Sequence, residues 1–143
     1  MPDLTLTQAH RAARNAASIA LADTGSGNSS IRLYDAPSGV LLAVRQLAKP
    51  CAVVRLADGR IELIQASVDD VVLQSGGAAW GEWCTGAGVT ISAGHVTDAS
   101  GNTTSAGTTT AHPSGIGAFV LSGTTGTQLY AGGIVRLATA LIG

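Results

Sequence analysis

The sequence predicts a mainly β protein, an antiparallel β-sandwich or jelly roll of about eight or nine strands with one N-terminal α-helix. Short apolar stretches recur after residue 25, most of them separated by glycine-rich turns. No strand–helix–strand alternation accompanies them, which argues against a parallel α/β sheet. The 143 residues fit one domain, and we expect a helical arm at 1–24 followed by a β-sandwich domain at 25–143.

Residues 7–22 are the predicted helix. Thr5 or Thr7 is the expected N-cap, and Asp23-Thr24-Gly25 is the expected end. One face carries Arg11, Arg14, Asn15 and Ser18, and the other carries alanines at helical spacing: Ala9, Ala12, Ala13, Ala16, Ala17 and Ala20. An alanine stripe buries little area, so the helix needs a surface to dock on, either its own sheet or a neighbouring subunit.

Extended segments are expected from residue 30 onwards. Strands at 30–35 and 40–47 flank a turn at 36–39, and a strand at 51–56 follows Pro50. Asp58-Gly59 predicts a hairpin with a type I′ turn, in which both central residues have positive φ. Short strands are predicted further along the chain, among them 79–85, 89–97 and 134–141.

The segment 98–115 is an exception, because it is long, polar and rich in Thr, Ser and Gly, without an apolar period. Such a stretch within a compact domain is usually a functional or disordered loop. We expect an exposed loop here. The alternative is a β-hairpin extension built on the threonines.

Composition narrows the choice of partners. Charged residues make up 12% of the chain, against about 25% in an average soluble domain, which favours association with other copies or another protein. The net charge is −1 with no basic stripe, so no nucleic-acid partner is expected. No apolar run approaches the roughly 20 residues that span a bilayer, and no secretory signal is recognised, so no membrane partner is expected either. Cys51 and Cys84 are expected to be free buried thiols.

The sequence predicts no catalytic, cofactor-binding or metal site. His10, His95 and His112 lie in different elements without the spacing of metal ligands. The neighbouring carboxylates Asp69 and Asp70 point to opposite faces of an extended chain, and we interpret them as solvated edge charges.

The possible nucleophiles and cofactor motifs also lack the partner residues or the sequence context that such sites require. Ser114 lies outside a G-x-S-x-G elbow, and no orienting acid accompanies Cys84 and His95. Gly25-x-Gly27 precedes a strand and not a helix, which excludes a dinucleotide loop. We therefore expect a protein that is not an enzyme and has no small-molecule substrate.

Trp80 and Trp83 are three residues apart and should point to opposite faces of one strand. One of them is expected in the core and the other at an interface. The alternative is a sugar-binding pair, which requires an exposed tryptophan in a groove.

Three stretches resemble a family of small tailed-bacteriophage virion proteins, which includes capsid decoration, or cement, proteins (minor capsid proteins) with a jelly-roll-like fold. They are RNAASIALADTGSGNSSIRLYDAPSGVLLA, AAWGEWCTGAGVTISAGHVTDASG and FVLSGTTGTQLYAGGIVRLATALIG. The sequence departs from that family at Thr85-Gly86-Ala87-Gly88, where an Asp-rich hairpin is usual, and in its long Thr-rich segment.

The resemblance implies a structural protein located on the capsid surface of the virion and assembled in the host cytoplasm. Its implied partners are the major capsid protein and other copies of itself, in a homodimer or homotrimer. A tail, baseplate or head–tail joining protein is the first alternative function. A carbohydrate-binding module is the second.

Overall fold

A computed structural model describes residues 5–67, 69–138 and 141–142. The protein is mainly β with one N-terminal helix, which confirms the predicted fold class. The helix α1 spans Gln8–Ala22, and the strands are β1 Ser30–Tyr34, β2 Leu41–Val54, β3 Ile61–Gln65, β4 Asp70–Val71, β5 Gly76–Gly77, β6 Trp80–Cys84, β7 Thr90–Thr97, β8 Asn102–Ser105, β9 Thr108–Ala111, β10 Phe119–Val120, β11 Gln128–Leu129, β12 Ile134–Val135 and β13 Leu141–Ile142.

The principal sheet has seven strands in the order β10-β7-β6-β1-β2-β3-β13. Its pairings are antiparallel except that β10 runs parallel to β7. Three two-stranded ribbons, β11-β5, β12-β4 and β8-β9, complete the fold. Leu129 of β11 and Val135 of β12 belong to the same buried cluster as the principal sheet, so the ribbons β11-β5 and β12-β4 pack against it in a sandwich-like arrangement.

The two faces of the principal sheet differ because side chains alternate along each strand. Ile31 lies directly opposite Trp83 in the β1–β6 register, and both are almost completely buried. Arg32 lies opposite Glu82 on the other face, where both side chains are only half-buried. One face of the sheet therefore holds the core and the other is partly open to solvent.

Strand β2 differs from the prediction of two strands separated by Pro50. It continues through the proline as a 14-residue strand, with a shift of its register to β3 between Leu47 and Ala52. Proline lacks an N–H donor and is tolerated in sheets at such irregularities. The predicted break is therefore an irregularity within one long strand.

The hairpin predicted at Asp58-Gly59 exists, but the type I′ turn is wrong. The Arg55 N–H donates to the Arg60 carbonyl at 2.8 Å, so four residues form the loop. Only Gly59 among them has positive φ, at 73°. Four-residue hairpin loops commonly avoid the two successive left-handed residues that a two-residue I′ loop requires.

The segment 98–115 is not simply the expected exposed loop, because it contains the hairpin that the alternative prediction built on the threonines. Strands β8 and β9 pair from Asn102↔Ala111 to Ser105↔Thr108. The Asp98 carboxylate accepts backbone N–H bonds from Ser100 and Asn102, both at 2.9 Å, and from Gly126 at 2.7 Å. These donors, with Asn102 first, hold the pKa of Asp98 below its usual range. This carboxylate therefore ties the hairpin to the chain near residue 126.

Arg45 is a charged residue at a fully buried position of β2. Its Nη1 donates to Asp70 Oδ2 at 2.9 Å, and its Nη2 donates to the Gln65 side chain and to the Ser67 carbonyl. Asp70 Oδ2 also accepts the Gln46 N–H at 3.0 Å. The ion pair thus holds the start of β4 against β2, and the bonds from Arg45 to Gln65 and Ser67 hold the end of β3.

Removing only Asp70 from the Arg45–Asp70 pair should lower the stability of the protein strongly. Asp70→Ala leaves the Arg45 charge buried without its counter-ion, and we expect a loss of roughly 3–5 kcal/mol in the free energy of unfolding. Adding Arg45→Met removes the unpaired charge and should recover much of that loss. Urea unfolding of the two variants measures both effects.

Asp69→Asn is the control, because the Asp69–Arg136 pair is solvent-exposed. Its effect should be much smaller than that of Asp70→Ala. Equal losses for Asp69→Asn and Asp70→Ala would contradict this account of the buried pair.

Candidate functional site

The orientation of α1 is set by polar side chains that bind the hairpin between β2 and β3. Arg11 Nη1 donates to the Asp58 carbonyl at 3.0 Å, and Asn15 Nδ2 donates to the Gly59 carbonyl at 2.7 Å. Gln8 donates in the same way to the Leu56 carbonyl. Residues 8, 11 and 15 follow helical spacing and share one face of α1. We call this set of bonds the helix clamp.

Gly59 allows the helix to approach this closely. A Cβ atom at this position would lie 2.9 Å from the Gln8 carbonyl oxygen and 3.2 Å from the Ala12 nitrogen. Its positive φ adds a second reason for glycine. The hairpin loop therefore presents backbone carbonyls to α1 without a side chain in between.

The helix packs with the side that carries Asn15 and Ala22, and of the predicted alanine stripe only Ala12 is half-buried. Of the two docking surfaces expected for the stripe, the chain's own sheet is therefore wrong. Asn15 and Ala22 are the buried residues of α1. Thr7 is the N-cap, as predicted, and accepts the His10 N–H at 3.2 Å. The outward surface carries the exposed His10 and Arg14 together with five exposed alanines. We call these alanines the alanine face: Ala9, Ala13, Ala16, Ala17 and Ala20.

Apolar side chains extend the alanine face. Leu56, at the tip of the hairpin, is 91% exposed, and Leu21 near the end of α1 is 51% exposed. A shallow groove of about 360 Å³ lies between the start of the helix and the β2–β3 hairpin, lined by Gln8, Ala9, Ala12, Val54, Arg55 and Leu56. An exposed apolar surface of this kind is typical of a protein-binding site.

The structure brings two of the three histidines together. The ring centroids of His95 and His112 are 4.2 Å apart, and the Trp80 ring packs edge-on against His95 at 5.4 Å. His112 Nδ1 accepts the Ser114 N–H at 3.1 Å. His10 lies on α1, outside this group. Within the described ranges, no group of three His, Cys, Asp or Glu side chains is placed to hold a metal ion.

The other candidate residues do not assemble into a reactive site. Cys84 lies beside Thr90, with its Sγ 3.7 Å from the Thr90 Oγ1. His95 lies opposite Trp80, which is four residues before Cys84 in β6, so Cys84 and His95 are not neighbours in the sheet. Asp70 is bound to the buried Arg45, so its interpretation as a solvated edge charge is wrong. Asp69 does lie at the surface, where it pairs with Arg136.

Both cysteines are free and buried, as predicted. Burial, together with the nearby Asp23 carboxylate, raises the pKa of Cys51 to about 12. Asp23 accepts the Cys51 N–H at 3.1 Å, which connects the end of α1 to β2. The Cys51 thiol is therefore a neutral part of the core at ordinary pH.

The tryptophans lie on opposite faces of β6, as predicted. Trp83 is the core residue, only 1% exposed, and its Nε1 donates to Ser29 Oγ at 2.9 Å. Trp80 is half-buried on the open face of the sheet. Trp83 therefore cannot contact a sugar, and a paired tryptophan platform is excluded.

Comparisons with protein-family models, curated proteins and solved structures give no match for this chain. In the described part of the chain, no helix is both long and apolar enough to cross a membrane.

The helix clamp yields a prediction about stability. Asn15→Ala removes the bond to the Gly59 carbonyl, a loss that the better helix propensity of alanine only partly offsets. We expect the free energy of unfolding to fall by about 1 kcal/mol. Arg14→Ala on the exposed side is the matched control and should stay within about 0.5 kcal/mol of the wild type. Chemical denaturation followed by circular dichroism measures both; equal effects would refute the clamp.

The Cys51 thiol yields a prediction about pH. Above about pH 9 the thiol ionises in the unfolded chain but stays protonated in the folded one, so the unfolded state is favoured as pH rises. The stability of the wild type relative to Cys51→Ala should therefore fall by up to about 1.4 kcal/mol per pH unit between about pH 9 and 11. Urea unfolding of both proteins across this range tests it. A stability difference that does not change with pH would contradict the raised pKa.

Proposed function

We propose that this chain is a non-enzymatic structural protein of a tailed-phage virion, a capsid decoration or cement protein that binds the major capsid shell and stabilises it. The observation that carries the proposal is the alanine face of α1. The helix clamp and the contacts of Ile19 and Ala22 with the core use one side of the helix inside the chain and leave the alanine face outward. A helix in this orientation is suited to contact a second protein.

The chemistry of the alanine face favours a protein partner. Alanine side chains lose no rotamer entropy on burial, and their small size lets another backbone approach closely. The cores of protein interfaces are depleted of charge, and this chain has only 12% charged residues. Each contact of this type is weak, but many copies on one shell act together.

Free strand edges support association with other copies of the chain. In the register of β7, Val96 and Thr97 pair with β10, whereas residues 90–94 pair only with β6 among the described residues. Exposed edges of this kind offer main-chain donors and acceptors for β-addition by a neighbour. A homodimer or homotrimer on the capsid surface is part of the proposal.

Reconstitution on stripped particles tests the proposal. Purified protein is added to phage particles that lack it, and bound copies and the temperature of DNA release are measured. The wild type should bind and raise the release temperature. Ala16→Lys places a charge on the alanine face while keeping a good helix former, and it should lower binding at least ~10-fold, a loss of about 1.4 kcal/mol per contact.

Ile116→Lys is the matched control, because Ile116 is 63% exposed in the segment between β9 and β10. It should bind as the wild type does. Particles that withstand heat and chelator equally well with and without the protein would end the cement proposal. Electron microscopy of labelled virions that places the protein on the tail or baseplate would replace it with the first alternative.

A further inference from the structure

A second surface, separate from the alanine face, is a polar groove of about 900 Å³. The turn at Asp35-Ala36 bounds it on one side, and the β8–β9 turn bounds it on the other. Gly76 and Gly77 of β5 line it between these turns, together with Gln128 and Tyr130. We call this surface the Tyr130 groove.

The Tyr130 groove is held in shape by buried threonines. The Thr104 N–H donates to Thr127 Oγ1 at 2.8 Å, and the Thr127 N–H donates to Thr104 Oγ1 at 2.9 Å. Both residues are buried. A Cβ at Gly77 would lie 2.1 Å from the Thr104 carbonyl oxygen, so β5 and β8 can approach this closely only because Gly77 lacks one. The walls are thus connected before any ligand arrives, which lowers the entropy cost of binding.

The lining has the chemistry of a site for a polyhydroxylated ligand. Tyr130 is 69% exposed and offers an aromatic face to a sugar ring. Asp35 uses Oδ1 to accept the Val40 N–H at 2.7 Å, which leaves Oδ2 for a ligand hydroxyl. The Gln128 amide both donates and accepts hydrogen bonds, as do the hydroxyls of Ser75, Ser105, Thr109 and Thr125.

The lining also argues against other ligands. Its one charged side chain is the Asp35 carboxylate, and it contains no Lys, Arg or His, so an anionic ligand would be repelled. A peptide would need apolar side-chain pockets or a free strand edge. Besides Tyr130, the apolar groups of the lining are only the small methyl groups of Ala36, Ala106 and the threonines. The strand edge at Gly76 and Gly77 already pairs with β11.

We propose that the Tyr130 groove binds a neutral oligosaccharide, with Tyr130 stacking on a sugar ring and Asp35 and Gln128 bonding its hydroxyls. This differs from the tryptophan-based carbohydrate hypothesis, of which the burial of Trp83 excludes the paired form. It also stands independently of the capsid proposal, because none of its residues lies on α1 or the β2–β3 hairpin.

A glycan array of neutral and anionic oligosaccharides, followed by calorimetric titration of the purified chain, tests the proposal. We expect at least one neutral oligosaccharide to saturate with a Kd between about 10 µM and 1 mM. Tyr130→Ala should weaken that binding at least ~10-fold. Asp35→Asn can keep the bond to the Val40 N–H but loses the charge, and it should weaken binding by a smaller factor.

Val89→Ala, an exposed apolar truncation outside the groove, is the matched control and should leave the Kd unchanged. Circular dichroism confirms that each variant is folded. The proposal fails if no neutral oligosaccharide binds, if the anionic ones bind instead, or if binding survives Tyr130→Ala. It also fails if the chain dimerises through the groove and Tyr130→Ala abolishes the dimer.

Discussion

The hydrogen bonds between the polar side of α1 and the carbonyls of the β2–β3 hairpin determine how the rest of the surface is used. The helix places Ala22 in the core with Ile19 packed against it, and Asn15 and Arg11 bind backbone acceptors of the hairpin from the same side. The alanine face consequently remains outside. If α1 were rotated by half a turn, the same sequence would hide the alanine face and expose Asn15 and Ala22, which are now buried. The proposed interaction surface therefore depends on the helix clamp.

The fold class could be predicted from local patterns, since alternation, glycine-rich turns and a single helical period are all local properties. The extent of α1 and its Thr7 cap were equally accessible, because capping chemistry depends on neighbouring residues. The direction in which α1 faces could not be predicted from local patterns. It depends on acceptors that the hairpin loop supplies more than 40 residues away in the chain, as in the Asn15–Gly59 bond.

Other differences between prediction and structure also arise from contacts between residues that are far apart in the chain. A polar, threonine-rich segment lacks the apolar period that marks a strand, yet the Asp98 carboxylate and the Thr104–Thr127 bonds order it through long-range contacts. The carboxylates Asp69 and Asp70 are neighbours in sequence, but only the fold shows that one of them neutralises a buried arginine. The Tyr130 groove had no sequence signal, because its lining residues come from separate turns and ribbons.

The two proposed surfaces lie near opposite ends of β2. The turn that carries Asp35 precedes this strand, and the hairpin loop that holds α1 follows it. A strand rises about 3.3 Å per residue, and β2 has 14 residues, so the two ends can be up to about 45 Å apart. A chain bound to a shell through its alanine face could therefore keep the Tyr130 groove free. Because the groove walls are connected by the chain's own hydrogen bonds, occupation of one surface need not disturb the other.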